Sequence, residues 1–199
     1  MSVLTDDCAN SPAAWSRRAV EHAEPWAAAG WSRESQGTRF AAILEALRPG
    51  PSESMLDYGC GAGALAGTRN QWLSQYPGPW GSSYLGFDWS LGMVERAKRE
   101  HPGAEFTTML RDGDTWDLVV CCGTFNLRDN WSKARTWALV RMLWARTTRA
   151  MAVSLYCGTD PACLRYEPSE VARVAGELAP SFSVERGYLP NDLLMVLRR

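Results

Sequence analysis

The residues best placed to do chemistry lie between 54 and 67, SMLDYGCGAGALAG: a short apolar run reaches Asp57, then glycines at 59, 61 and 63, then helix formers. Glycines in this arrangement let a backbone turn sharply out of a strand and approach a ligand where side chains would collide. A second acid, Asp88, closes the apolar stretch SSYLGFDWS; a carboxylate at such a strand end can accept the hydroxyls of a ribose. Read leniently, Gly59-Cys60-Gly61-Ala62-Gly63-Ala64 satisfies a dinucleotide fingerprint. Asp57 argues against that ligand, because it would face the doubly charged pyrophosphate of NAD or FAD at close range. S-adenosylmethionine presents the opposite sign, an ammonium and a sulfonium, and would be attracted there. The alternative role for Asp57 is to cap the following helix.

Other candidates are scattered. Asn126, in GTFNL, either orients a substrate or stabilises a turn, and Tyr156 either faces a pocket or covers the edge of the core. His22 lies on an N-terminal helix that could approach the mouth of a ligand site and His101 precedes a helix-ending proline; each reads first as a surface histidine. Trp15, Trp26 and Trp31 precede Gln36 and Arg39. Either this segment folds over the pocket as a water-excluding lid, or its tryptophans pack helix on sheet. Lys133, Arg135, Arg141, Arg146 and Arg149 form either a phosphate-binding stripe or a solvated helix face. Cys121-Cys122 reads as strand packing. Cys157 and Cys163 lack the second pair or the nearby histidine that a zinc site needs, so no metal is expected.

These residues need a scaffold, and the pattern supplies one. Ser11-Pro12 starts a helix that runs toward Gly30 with a break near Pro25, and Phe40, Ile43, Leu44 and Leu47 recur at helical spacing before Pro49-Gly50-Pro51. Strands are predicted at 54–57, SSYLGFDWS, AEFTTM, WDLVVCCGTF and AMAVSLY, alternating with helices over 64–76, LGMVERAKREHPG, 131–146 and 168–178. PGPWG (77–81) reads as a turn, and SFSVERGYLPNDLLMVLRR as two final strands. The order implies an α/β, Rossmann-like doubly wound sheet of seven mostly parallel strands, with a terminal antiparallel hairpin and an N-terminal helical lid. The expected organisation is one domain over 1–199, a helical segment over 1–50 leading into a core over 51–199.

The 199 residues are 46% hydrophobic and 22% charged, with a formal net charge of -1, so no global field draws the chain to nucleic acid or an anionic membrane. No basic-then-apolar leader and no bilayer-length apolar run is present, which points to a cytoplasmic protein with buried thiols, no membrane association, and a monomeric or homodimeric state.

LDYGCGAG resembles the first motif of class I S-adenosylmethionine-dependent methyltransferases, GFDWSLGMVERAK their second and WDLVVCCGTFNL their fourth, over nearly the whole chain. The flanks WSRESQGTRF and GYLPNDLLMVLRR look like a compact, mostly uncharacterised bacterial and phage subgroup. The resemblance implies that Asp57, Gly59, Gly61 and Gly63 line the methionine end of S-adenosyl-L-methionine. It implies that Asp88 holds the ribose, that Trp89 and Met93 flank the adenine, and that Cys122 and Gly123 lie beside the ligand. The family's usual acid after the third strand, which meets the adenine amino group, has no counterpart near Leu110, although Asp112 and Asp114 follow. GTFNL is not the signature of enzymes that methylate DNA amino groups. The expected acceptor is a small molecule; RNA or protein acceptors, a nicotinamide-dependent oxidoreductase and a non-catalytic cofactor-binding protein are the alternatives.

Overall fold

The computed structural model describes residues 11–76 and 83–199. Cys8 and the predicted turn at 77–81 lie outside them. The N-terminal segment is α1 (Pro12–Glu21), α2 (Pro25–Ala28) and α3 (Arg33–Leu47). There follow β1 (Met55–Tyr58), α4 (Ala64–Leu73), β2 (Tyr84–Phe87), α5 (Leu91–Glu100), β3 (Glu105–Thr107), β4 (Trp116–Cys122), α6 (Lys133–Ala145), β5 (Thr147–Tyr156), α7 (Pro168–Leu178), β6 (Ser181–Arg186) and β7 (Asp192–Arg198).

The strands form one sheet in the order β3-β2-β1-β4-β5-β7-β6. The first five are parallel, and β7 runs antiparallel to both β5 and β6. This is the doubly wound arrangement the sequence implies. The direction of winding reverses between β1 and β4, so a crevice opens beyond the carboxyl ends of these two strands.

Local chemistry sets the helix ends. Ser11 accepts the Ala14 amide at 3.1 Å with Pro12 next to it; Ser32 and Ser35 cap α3 reciprocally; Ser90 caps α5 through Met93; and Ser132 caps α6 through Arg135. The N-terminal helix stops at Glu21, ahead of the expected break, because a proline disfavours helical geometry in the residue before it and Glu24 is extended. The carbonyls freed at that stop do not go unmet. Arg96, buried on α5, donates to the oxygens of Ala19, His22 and Ala23 at 3.1, 2.6 and 2.6 Å. Gly92 completes the junction, since a Cβ there would stand 2.8 Å from the backbone of Ser16 on α1.

The core has two faces. Leu56, Val119, Cys121, Met151 and Val153 pack toward α6 and α7, through Trp137, Val140, Leu143 and Val171. Met55, Leu118, Val120 and Ala152 pack toward α3, α4 and α5, through Phe40, Ile43, Leu44, Leu65 and Val94. Because β4 and β5 are covered on both faces, they read as continuous apolar runs.

Candidate functional site

A cavity of about 500 Å³ occupies the crevice, a size suited to a small ligand. Its floor comes from strand ends: Tyr58 and Gly59 at the end of β1, Phe87, Asp88 and Trp89 at the end of β2, Cys122, Gly123 and Thr124 at the end of β4, and Tyr156 at the end of β5.

The glycine loop is folded tightly enough to need positive φ at Gly59 (84°), Gly61 (54°) and Gly63 (80°). A Cβ on Gly59 would collide with Thr124 at 2.5 Å, and one on Gly63 with Phe106 at 2.8 Å, whereas one on Gly61 would meet nothing. Thr124 closes the loop from below by donating its hydroxyl to the Tyr58 carbonyl at 2.8 Å. The amides of Gly59 and Cys60 both go to the Phe87 carbonyl, at 2.7 and 2.9 Å, and that of Gly63 goes to Cys60. The Gly61 amide goes to the Asp88 carboxylate at 2.9 Å. All four amides are therefore satisfied inside the protein.

Asp88 is buried and lines the cavity, with Gly61 on one carboxylate oxygen and the Ser90 amide on the other, also at 2.9 Å. Burial carries its pKa up to about 6 even though both amides favour the charged form. Asp57 lies elsewhere. It shares the α3–α4 face of β1 with Met55, and its carboxylate accepts the Tyr84 hydroxyl at 2.6 Å behind the loop, outside the cavity lining. Burial carries Asp57 up to about 7, opposed by the Tyr84 bond and helped by the charge of Asp88. The expected direct contact of Asp57 with a ligand is thus replaced by a carboxyl buried behind the loop, half protonated near neutral pH, and Asp57 caps no helix. Burial and Asp57 together push the Cys122 thiol to about 12, so this thiol is no nucleophile at neutral pH.

The N-terminal segment reaches the cavity with Trp15, Arg18, Gly30, Trp31 and Arg39. Trp31 is fixed through a relay. Asp192, at the start of β7, holds the Arg39 guanidinium with two bonds of 2.6 and 3.1 Å; Arg39 stacks 4.7 Å from the Trp31 ring centre; and the indole lies so close over Gly123 (φ 70°) that a Cβ there would be 2.3 Å away. Trp26, Gln36 and His22 do not line the cavity: Trp26 packs beneath Arg33, Gln36 is buried on α3, and His22 caps α1 with its backbone. Gly63 also stands outside the lining, serving the packing of α4 against Phe106.

At the far end, Asn126 accepts the Tyr156 amide at 3.1 Å, and the Tyr156 hydroxyl accepts the Asp160 amide at 3.0 Å, so each ties a loop while lining the cavity. Met93 is buried and lines the wall beside Trp89. The segment after β4 contributes Asn130 and Trp131, which the sequence pattern does not mark as site residues, and α6 contributes Arg135, one of the basic set, to the cavity rather than to a solvated face. Trp131 stacks with Trp89 at 6.3 Å between ring centres, and Arg135 covers Trp131 at 4.9 Å. The remainder of the basic set is paired: Lys133 with Glu170, Arg141 with Glu177, Arg146 with Asp112 and Arg149 with Glu53. Among the described residues no cluster suits a metal ion, and no helix is long and apolar enough to cross a membrane.

Sheet order, glycine loop and crevice together define the Rossmann-like fold of class I methyltransferases, and solved structures share it. Magnesium protoporphyrin IX methyltransferase from Synechocystis, with SAM bound, aligns at a TM-score of 0.62 and 18% identity over 83% of this chain and 80% of that one. A TehB-like SAM-dependent methyltransferase from Corynebacterium glutamicum aligns at 0.63 and 17% over 95% and 100%. A SAM-bound amino pentose methyltransferase from Micromonospora echinaspora aligns at 0.62 and 16% over 85% and 93%. Neither a protein-family model nor a curated protein sequence matches the chain.

Proposed function

We propose that this protein is a class I methyltransferase that uses S-adenosylmethionine to methylate a small molecule. The observation that carries the reading is the state of the glycine loop. The amides of Gly59, Cys60, Gly61 and Gly63 all have internal partners, and that of Gly61 is held by a carboxylate. A dinucleotide site leaves such amides free for pyrophosphate; here these four are met within the protein, and the acid Asp57 lies beneath the loop. A cationic ligand with a ribose suits the same loop. Two of the solved structures that share the fold hold SAM, which supports the assignment.

The open space at Gly61 and the position of Asp88 in the cavity wall fit such a ligand, with Asp88 accepting the ribose hydroxyls and Trp89 and Met93 beside the base. S-adenosylmethionine supplies a methyl group already activated on a positive sulfur. The protein's part is to orient and to exclude water. Trp15, Trp31, Trp89 and Trp131 enclose the space. Tyr156, whose hydroxyl keeps its own proton to donate, and Asn126 stand where an acceptor would enter. No histidine or lysine lines the cavity among the described residues, which leaves the carboxylates of Asp88 and Asp160 as its basic groups.

A small acceptor is favoured over RNA because four of the five basic residues from Lys133 to Arg149 are ion-paired, which leaves little free charge to release counterions from phosphates. The test is a thermal-shift comparison. S-adenosylhomocysteine should raise the melting temperature and NADH should not; stabilisation by NADH alone would refute the reading.

A further inference from the structure

Asp57 is only 2% exposed, and what it receives there is the hydroxyl of Tyr84, not a cation. The groups around it come from every neighbouring element. β2 brings Tyr84 and Asp88, the glycine loop brings Cys60, and β4 brings Cys121 and Cys122. From α4 comes Arg69, whose guanidinium lies 6.0 Å from the Tyr84 ring centre and donates to the Glu53 carbonyl at 3.2 Å. From α3 comes Arg39, which acts on Cys122 while held in its pair with Asp192. β3 supplies Phe106, whose ring centre lies 5.9 Å from that of Tyr84 and 6.4 Å from that of His101, and α5 packs the apolar Val94 and Ala97 on this face. A carboxylate buried without a cation is costly, so this one holds its proton up to a pH of about 7.

A charge on Asp57 is nonetheless felt in the cavity. Asp57 and Asp88 repel each other, and Asp57 pushes up the thiol of Cys122; Asp88 and Cys122 line the space from the ends of β2 and β4. A field that reaches two such wall residues also reaches a cation in the cavity, because the protein interior screens it little. S-adenosylmethionine and S-adenosylhomocysteine differ by one such charge. When the S–CH3 bond breaks, its electron pair stays on sulfur and the sulfonium becomes a neutral thioether. The cation favours the ionised form of Asp57, and the thioether does not.

We propose that Asp57 makes the site distinguish the cofactor from its spent product: the sulfonium of S-adenosylmethionine drives the proton of Asp57 into solvent, whereas S-adenosylhomocysteine leaves it in place. The inference rests on the S-adenosylmethionine reading. The bound cofactor then carries fewer protons than the free protein, so the preference for S-adenosylmethionine over S-adenosylhomocysteine grows as pH rises toward 7 and levels off above it.

The test is calorimetric titration of the full chain with each compound at intervals from pH 6 to pH 8. In the wild type the ratio of the two affinities should rise in favour of S-adenosylmethionine by about fivefold to tenfold, as expected of a carboxyl that titrates at about 7 when the site is free and at about 5 to 6 beside the cation. Asp57→Asn should show a rise of about twofold at most, the share of Asp88, which already titrates at about 6. Tyr84→Phe removes a bond that favours the charged form, so it should keep the rise and move it to higher pH. A wild-type ratio independent of pH, an undiminished rise in Asp57→Asn, or a rise in Tyr84→Phe that stays at the wild-type pH would overturn the proposal while leaving the cofactor assignment intact. If Asp57→Asn fails to fold, the wild-type ratio and Tyr84→Phe still decide the matter. Failure of the wild type to bind either compound would remove the cofactor reading itself, and this inference with it.

Discussion

Replacing Asp57 by asparagine should flatten the dependence of stability on pH. In the folded chain Asp57 titrates at about 7 because burial disfavours its charge, against an ordinary 3.8. Between those values the folded state binds more protons than the unfolded state, so the contribution of this group falls as pH rises from near 4 to near 7. The separation is worth on the order of 4 kcal/mol as an upper bound. Because Asp57 feels Asp88 and the Tyr84 hydroxyl, a change of roughly half that size, about 2 kcal/mol, is the working expectation. Asp57→Asn keeps an oxygen for Tyr84 but cannot ionise. Urea denaturation at intervals from pH 4.5 to 8.5 reads the difference between the two proteins directly. The stability of the wild type relative to Asp57→Asn should fall from pH 4.5 to about 7 and level off above it. A difference that stays constant across this range would refute the burial argument, whatever its absolute value.

Asp88→Ala should weaken S-adenosylhomocysteine by about 1.5 to 3 kcal/mol, the worth of hydrogen bonds to a charged group. Calorimetry on the variant, once circular dichroism shows it folded, checks this, and unchanged affinity would remove Asp88 from the site. In the wild type the same affinity should decline as pH falls through about 6, because a protonated Asp88 accepts the ribose hydroxyls less well. Gly123→Ala should displace Trp31, since the new Cβ would lie 2.3 Å from the indole at a φ of 70°; weaker binding with altered tryptophan fluorescence is expected, and wild-type values of both would show that Trp31 does not close the cavity. A chain starting at Arg33 should fold with a lower melting temperature, because Arg96 loses the carbonyls of Ala19, His22 and Ala23. It should bind S-adenosylhomocysteine more weakly and turn over more slowly still; full affinity and unaltered methylation would reduce the segment to packing.

What the sequence makes legible here is what short-range rules control. Ser11-Pro12, Ser32, Ser90 and Pro168 mark helix starts through caps and fixed φ, and the buried runs at WDLVVCC and AMAVSLY identify central strands. The glycines announce the loop, and Asp88 announces the second strand end. Asp57 was legible as a residue but not as a geometry, because its partner Tyr84 comes from the neighbouring strand and the pair forms only once the register is set. Arg135 was legible only as one of a row of basic residues, and Thr124, Asn130 and Trp131 gave no periodic signal. Their segment has its shape from distant contacts, the amide of Arg128 on the Ala162 carbonyl and that of Leu164 on the Asn126 carbonyl, at 2.9 and 2.7 Å. The tryptophans were legible as a group that must cover something; that Trp15 and Trp31 line the cavity while Trp26 packs beneath Arg33 depends on the turn between α2 and α3.

The most direct test of the cofactor assignment is a calorimetric titration of the full chain with S-adenosylhomocysteine and, separately, with NADH. The closed loop amides and the two buried acids predict saturable one-to-one binding of S-adenosylhomocysteine and no measurable heat from NADH; saturable binding of NADH with none of S-adenosylhomocysteine would contradict the account.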